Sequence, residues 1–114
     1  MMQRTLFAAA VIAAAVSTAA SAQEAFVGRW AATPELCSAH GGDSAANSAL
    51  VATDTSLWWF DGQCRIGKMY KTMAVYVQAH CDGKGDVSVT LDAKGNRMRV
   101  TWGHAKPADL QRCN

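Results

Sequence analysis

Four cysteines and three histidines are the residues of this 114-residue chain best able to do chemistry, and their spacing decides which chemistry that is. Cys37, Cys64, Cys81 and Cys113 contain no C-x-x-C, and His40, His80 and His104 contain no H-x-x-x-H. Those short spacings are how small metal sites gather ligands on one turn or hairpin, so no metal is expected. An even number of cysteines in a small exported chain predicts two disulfides instead.

Asp82-Gly83-Lys84-Gly85-Asp86 invites a calcium reading. The EF-hand loop, however, wants glycine where Val87 stands, a bidentate glutamate where Ala93 stands and a ligand where Lys84 stands, so the run is expected to be a hairpin turn. G-x-S-x-G, H-E-x-x-H, a P-loop and a Rossmann fingerprint are all missing from the sequence, and acidic residues from which to draw an acid/base pair are few. A small hydrolase is therefore only the third reading of function, and no cofactor is expected.

The remaining candidate is a binding surface. Trp58, Phe60, Arg65, Met69, Tyr76 and His80 fall on one side of the strands proposed below, and aromatic and arginine side chains concentrate binding energy because they bring large contact area with few rotors. Of these, Trp58, Phe60, Arg65, Tyr76 and His80 are the candidate binding residues. The competing reading is that the face is covered, or that the two sides of the sheet are reversed.

The elements that must position these residues begin after an export signal. Arg4, the apolar run Leu6 to Val16 and the small-residue end Ala20-Ser21-Ala22 have the order that a signal peptidase reads, so residues 1–22 are expected to be cleaved. A membrane span is the rival reading, but Ser17, Thr18 and Ser21 interrupt a stretch that is mostly alanine. Cleavage leaves residues 23–114, a single small domain without a transmembrane anchor, in the periplasm or secreted. Removing Arg4 from the eleven basic residues leaves ten against nine acidic ones, a mixed surface that excludes a nucleic-acid or polybasic membrane arm.

Alternation with period two recurs between turn clusters, the pattern of an antiparallel all-β protein of about six to eight short strands. Met98, Val100 and Trp102 alternate with Arg97, Arg99 and Thr101; upstream, Val87, Val89 and Leu91 alternate with Ser88 and Thr90. Lys94-Gly95-Asn96 joins them with the positive-φ residues a short hairpin loop requires. A turn at Thr72-Met73 pairs residues whose numbers sum to 145, which sets Cys64 opposite Cys81 within disulfide reach and leaves Cys37 for Cys113.

The dipeptide Asp61-Gly62 predicts a further hairpin with Trp59 opposite Cys64, Leu57 opposite Ile66 and Trp58 opposite Arg65. Together these registers give a core face of Leu57, Trp59, Cys64, Ile66, Tyr70, Val75, Val77, Ala79 and Cys81. Lys68 breaks that face, and Gly67 beside it suggests a bulge that turns it outward. Residues 38–47 are expected to be an exposed loop, residues 26–32 a first strand anchored by Trp30, and residues 110–113 a last strand closing the sheet or barrel.

Gly28-Arg29-Trp30 on the first strand, Cys37 soon after and the terminal Arg112-Cys113 resemble small exported four-cysteine proteins of proteobacteria. The G-x-W element is also similar to the opening of lipocalin-like barrels and of periplasmic inhibitors of alkaline proteases. The resemblance implies a small antiparallel barrel or sandwich with a tryptophan plugging one end, and it carries no binding or inhibitory residues over. The function expected first is a non-enzymatic binding module for a protein or cell-envelope component, most sharply an inhibitor of a secreted hydrolase. A carrier holding a small apolar ligand in the barrel, between Trp30 and Trp102, is the alternative.

Overall fold

The computed structural model describes residues 24–40 and 42–114, so the expected signal segment lies outside the described residues. Eight antiparallel strands follow one another around a closed barrel: β1 (Gly28–Ala31), β2 (Leu50–Ala52), β3 (Ser56–Trp59), β4 (Gly62–Lys71), β5 (Val75–Cys81), β6 (Gly85–Lys94), β7 (Arg97–Trp102) and β8 (Ala108–Arg112). Each strand pairs with the next, and Trp30 and Ala31 on β1 close the ring against Arg112 and Gln111 on β8. Closure pairs the first strand with the last, so neither is left as an edge strand.

Side-chain alternation sorts the residues as their polarity requires. Along β5, Val77, Ala79 and Cys81 are buried while Tyr76, Gln78 and His80 are exposed, and along β7 Met98, Val100 and Trp102 are buried against exposed Arg97 and Arg99. The interior is filled by Trp30, Trp59, Leu50, Leu57, Leu91, Met98, Val100 and Leu110, with Phe26 in the same cluster, all essentially without accessible surface. Side chains lining a chamber wide enough for water would retain accessible surface inside it, so this barrel is packed as a core.

Both disulfides form with the expected pairing, Cys37–Cys113 and Cys64–Cys81. Cys64 stands directly opposite Cys81 across β4 and β5. In the chain-entropy model the loops of 76 and 17 residues contribute about 4.5 and about 3 kcal/mol, a large part of the stability of a domain this size. The β6–β7 hairpin turns through Gly95-Asn96, with Gly95 at φ 63°. Asp82 to Lys84 form the turn between β5 and β6.

Three expectations need correction. The β3–β4 turn is Phe60-Asp61, because Trp59 pairs with Gly62; Leu57 then faces Cys64, Trp58 faces Gln63 and Ser56 faces Arg65. The register differs from the expected one by two residues, and since side chains alternate with period two the core face survives the error. The β4–β5 loop has three residues, Thr72 to Ala74, with Lys71 opposite Val75. Finally, the ladder shifts between Ile66 and Lys68, so the bulge expected at Gly67 is present and Lys68 is exposed, but its effect runs further along the strand. That extra residue reverses the parity of the rest of β4: Met69 packs against the core and Tyr70, expected inside, is 60% exposed.

The segment between β1 and β2 is more structured than a plain loop. It carries two 3-10 turns, Pro34–Ser38 and Ala45–Asn47, the second closed by a capping box between Ser44 and Asn47. Its far end is pinned inside the protein, where Ser48 is buried and its carbonyl accepts from Trp59 Nε1 at 3.1 Å. A buried carbonyl must find a donor, and here an interior tryptophan supplies it.

Candidate functional site

With the interior occupied by side chains, the surface available to a partner is the outer wall. Its outward positions form rows across neighbouring strands. In the first row Arg29 on β1, Val51 on β2, Trp58 on β3 and Gln63 on β4 stand opposite one another in turn. Trp58 is 42% exposed, and the His40 ring stacks on it with centroids 5.1 Å apart and planes 15° from parallel. Arg29 fixes that histidine: its guanidinium donates to His40 Nε2 at 2.9 Å and to the Cys37 carbonyl at 3.2 Å. Arginine can only donate, so Nε2 accepts and the ring proton sits on Nδ1 in this arrangement.

The second row is Ser56, Arg65, His80 and Asp86 on β3 to β6. Arg65 is thus the diagonal neighbour of Trp58 rather than its direct partner, a separation of about 7–8 Å between such positions. His80 Nδ1 and Asp86 Oδ1 lie 3.0 Å apart, both largely in solvent. Ser88 Oγ, on the same face of β6, bonds to Gln78 Oε1 at 3.4 Å. Among the described residues no group of three or more His, Cys, Asp or Glu is placed to hold a metal ion.

Toward the β4–β5 loop the wall becomes aromatic. Tyr70 faces Tyr76 across the two strands, and Tyr76 faces Thr90 on β6. Tyr76 is 44% exposed, and Met73 at the tip of the loop is 94% exposed. A shallow depression of about 480 Å³ runs along this wall, lined by Gly67, Lys68, Tyr70, Gln78, His80 and Asp86.

Of the five candidate binding residues, Trp58, Arg65, Tyr76 and His80 lie outside on the wall. Phe60 does not join them. It sits in the β3–β4 turn and folds back over the end of the barrel, where its ring packs edge-on against Trp59 at 5.0 Å and lies 6.1 Å from Trp102. Met69 is likewise turned inward. Tyr70, Arg29 and His40 were missed. Tyr70 was hidden by the bulge, Arg29 was visible only as the residue alternating with Trp30, and nothing local in the loop sequence points His40 at Trp58.

Comparison of the chain with protein-family models, with curated proteins and with solved structures finds no match. What the wall can do must therefore follow from its own geometry.

At the end of the barrel that Phe60 covers, Asp61 is held by two donors. It accepts from Lys84 Nζ at 2.8 Å and from Trp102 Nε1 at 3.2 Å. The hydrogen bond from Lys84 holds its carboxyl below the usual range, against the opposing effect of partial burial, with Trp102 adding to the lowering. These contacts tie the β3–β4 and β5–β6 turns to β7. Asp61 is occupied in structure, not offered to a ligand.

Proposed function

We propose that this protein is an exported, non-enzymatic binding module that recognises a protein or cell-envelope component through the outer wall of its barrel, in the periplasm or after secretion. The observation that carries the reading is the placement of large aromatic side chains outside a barrel whose interior is already full: Trp58 stacked on His40, and the cross-strand pair Tyr70 and Tyr76. Half-exposed aromatic side chains held by strands have little conformational freedom to lose on binding. Two disulfides support an oxidising compartment, and the A-x-A end after an apolar run supports export.

Inhibition of a secreted hydrolase is the sharpest version of this reading, because a rigid, disulfide-tied barrel presenting aromatic side chains binds without paying to order itself. A carrier for a small apolar ligand has less to support it, since Trp30, Trp59 and the aliphatic side chains between them occupy the space a ligand would need.

The test is a binding titration of the wild-type protein, Trp58→Ala and the Tyr70→Ala/Tyr76→Ala double variant. The targets are purified secreted lysozymes and proteases and isolated cell-envelope fragments. A tenfold or greater loss of binding or inhibition in either variant, with a melting temperature within a few degrees of wild type, supports the reading. Equal binding by all three proteins sinks it.

A further inference from the structure

The barrel wall is uneven in height, and the step in it creates a free strand edge. β3 pairs with β4 only from Gly62 to Arg65, after which the amide of Ile66 donates to the Thr55 carbonyl and the neighbouring chain turns away. β4 continues to Lys71 with β5 on its other side. Residues 67–71 therefore have a strand along one side and, among the described residues, none along the other. Burial agrees: Gly67, Lys68, Tyr70 and Lys71 are all exposed, whereas every second residue is buried along β5.

The chemistry of the edge says what fits it. From Gly62 to Lys71 the strand carries Arg65, Lys68 and Lys71 and no acidic residue. Lys71 reaches Glu24, while Lys68 has no ion pair among the described residues. A second copy of this edge laid along it would bring Lys68 and Lys71 of each strand together, and edge lysines are a recurrent device against such self-pairing. An extended segment with carboxylates at alternate positions meets the opposite situation. Its backbone pairs with the open ladder over about 17 Å, the length of five strand residues, and its acidic side chains lie beside Lys68 on the outer face.

We propose that residues 67–71 of β4 form a docking edge that takes up an extended acidic peptide segment as an added strand. This site shares Tyr70 with the aromatic wall of the proposed function but lies apart from Trp58, so Trp58→Ala tells the failure of one from the failure of the other.

The experiment is amide hydrogen exchange and chemical-shift mapping on the isotope-labelled, disulfide-bonded protein. The probe is an N-acetylated seven-residue peptide, Thr-Glu-Val-Glu-Val-Glu-Thr. Controls are the same peptide with lysine for glutamate and an acidic version N-methylated at alternate residues. The expected result is fast exchange of the outward amides within residues 67–71 in the free protein, slowed tenfold or more by the acidic peptide. The lysine peptide binds at least tenfold more weakly, and the N-methylated one fails to protect. Lys68→Glu reverses the preference between the acidic and lysine peptides, and Trp58→Ala changes nothing.

Four results would overturn the proposal. Slow exchange at residues 67–71 in dilute protein means that the edge is already covered, and protection that grows with protein concentration alone means that a second copy takes it. Protection by phosphatidylglycerol vesicles but not by the peptide means a lipid surface. Loss of peptide binding in Trp58→Ala, with residues 67–71 unaffected, moves the peptide to the aromatic wall.

Discussion

Arg112, on the last strand, lays its guanidinium 4.3 Å from the centre of the Trp30 ring on the first. The same group donates to the Val27 and Ala25 carbonyls, each at 2.9 Å, while Trp30 Nε1 donates to the Phe26 carbonyl at 2.9 Å. One arginine thus fastens the incoming chain, the first strand and the last strand at the point where the barrel closes. Gly28 makes the approach possible: its φ is 144°, and a methyl group on it would sit 2.6 Å from Arg112 Nη1.

Replacing Arg112 with alanine removes the stack and two charge-assisted hydrogen bonds, an expected loss of about 2–4 kcal/mol. Arg112→Lys keeps the charge but not the planar fork, and about 1–2 kcal/mol is expected to be lost. Gly28→Ala is expected to cost a similar amount by displacing the guanidinium and straining the backbone. Because both act through one contact, the double variant Gly28→Ala/Arg112→Lys should lose less than the sum of the two. Urea unfolding followed by tryptophan fluorescence measures the four variants against wild type; full additivity would show that the contact is not shared.

Acid should weaken the protein in part through Asp61. Its folded-state pKa lies below the unfolded value of about 3.9. The stability it contributes is therefore fully present above the unfolded pKa and is lost as pH falls through the lowered folded pKa. Glu35 and Asp109 are lowered too, Glu35 chiefly by a backbone hydrogen bond and Asp109 by Arg99, so wild-type acid sensitivity has several sources. The difference between wild type and Asp61→Asn isolates one of them. Unfolding free energies measured from pH 7 to pH 2 should differ at neutral pH and converge below about pH 4. A constant gap across that range would show that Asp61 does not titrate with folding.

On β4 the bulge makes two adjacent residues break the strand's regular alternation. Met69→Ala, which empties part of the core, is expected to cost about 1–2 kcal/mol. Tyr70→Ala, on the outer wall, is expected to stay within about 0.5 kcal/mol of wild type. Chemical denaturation decides it, and the reverse order would restore the regular alternation that places Tyr70 inside.

That pair also marks where the sequence stops being readable. Alternation and turn chemistry were enough to find the β6–β7 hairpin, because Gly95 supplies its own positive φ and the flanking residues keep strict period two. Cysteine arithmetic was enough for the Cys64–Cys81 register, because a disulfide restricts which residues can face one another. The β3–β4 turn misled by two residues, since Gly62 reads as a turn centre but follows the turn with φ 106°. Period two absorbed that error on the strands and not at Phe60, whose place depends on the turn itself. The wall was legible as a set of outward positions. Its assembly was not, because His40 meets Trp58 through a loop whose path depends on Arg29 and on the buried Ser48.

Phe60 separates folding from binding. Placed by sequence among the exposed aromatic residues, it instead closes one end of the barrel with Trp59 and Trp102, whose rings lie 5.5 Å apart and nearly perpendicular. Phe60→Ala is expected to lower stability by about 1–3 kcal/mol through lost burial and aromatic packing. For a domain of this size that corresponds to a melting temperature lower by roughly 5–15 °C. At temperatures where the variant remains folded, its affinity for any partner of the outer wall should match wild type, because its ring faces the barrel's end and not the row that holds Trp58 and Gln63. Thermal melting and the binding titration, run on the same preparation, check both halves. Lost affinity at unchanged stability would return Phe60 to the recognition surface and extend that surface around the β3–β4 turn.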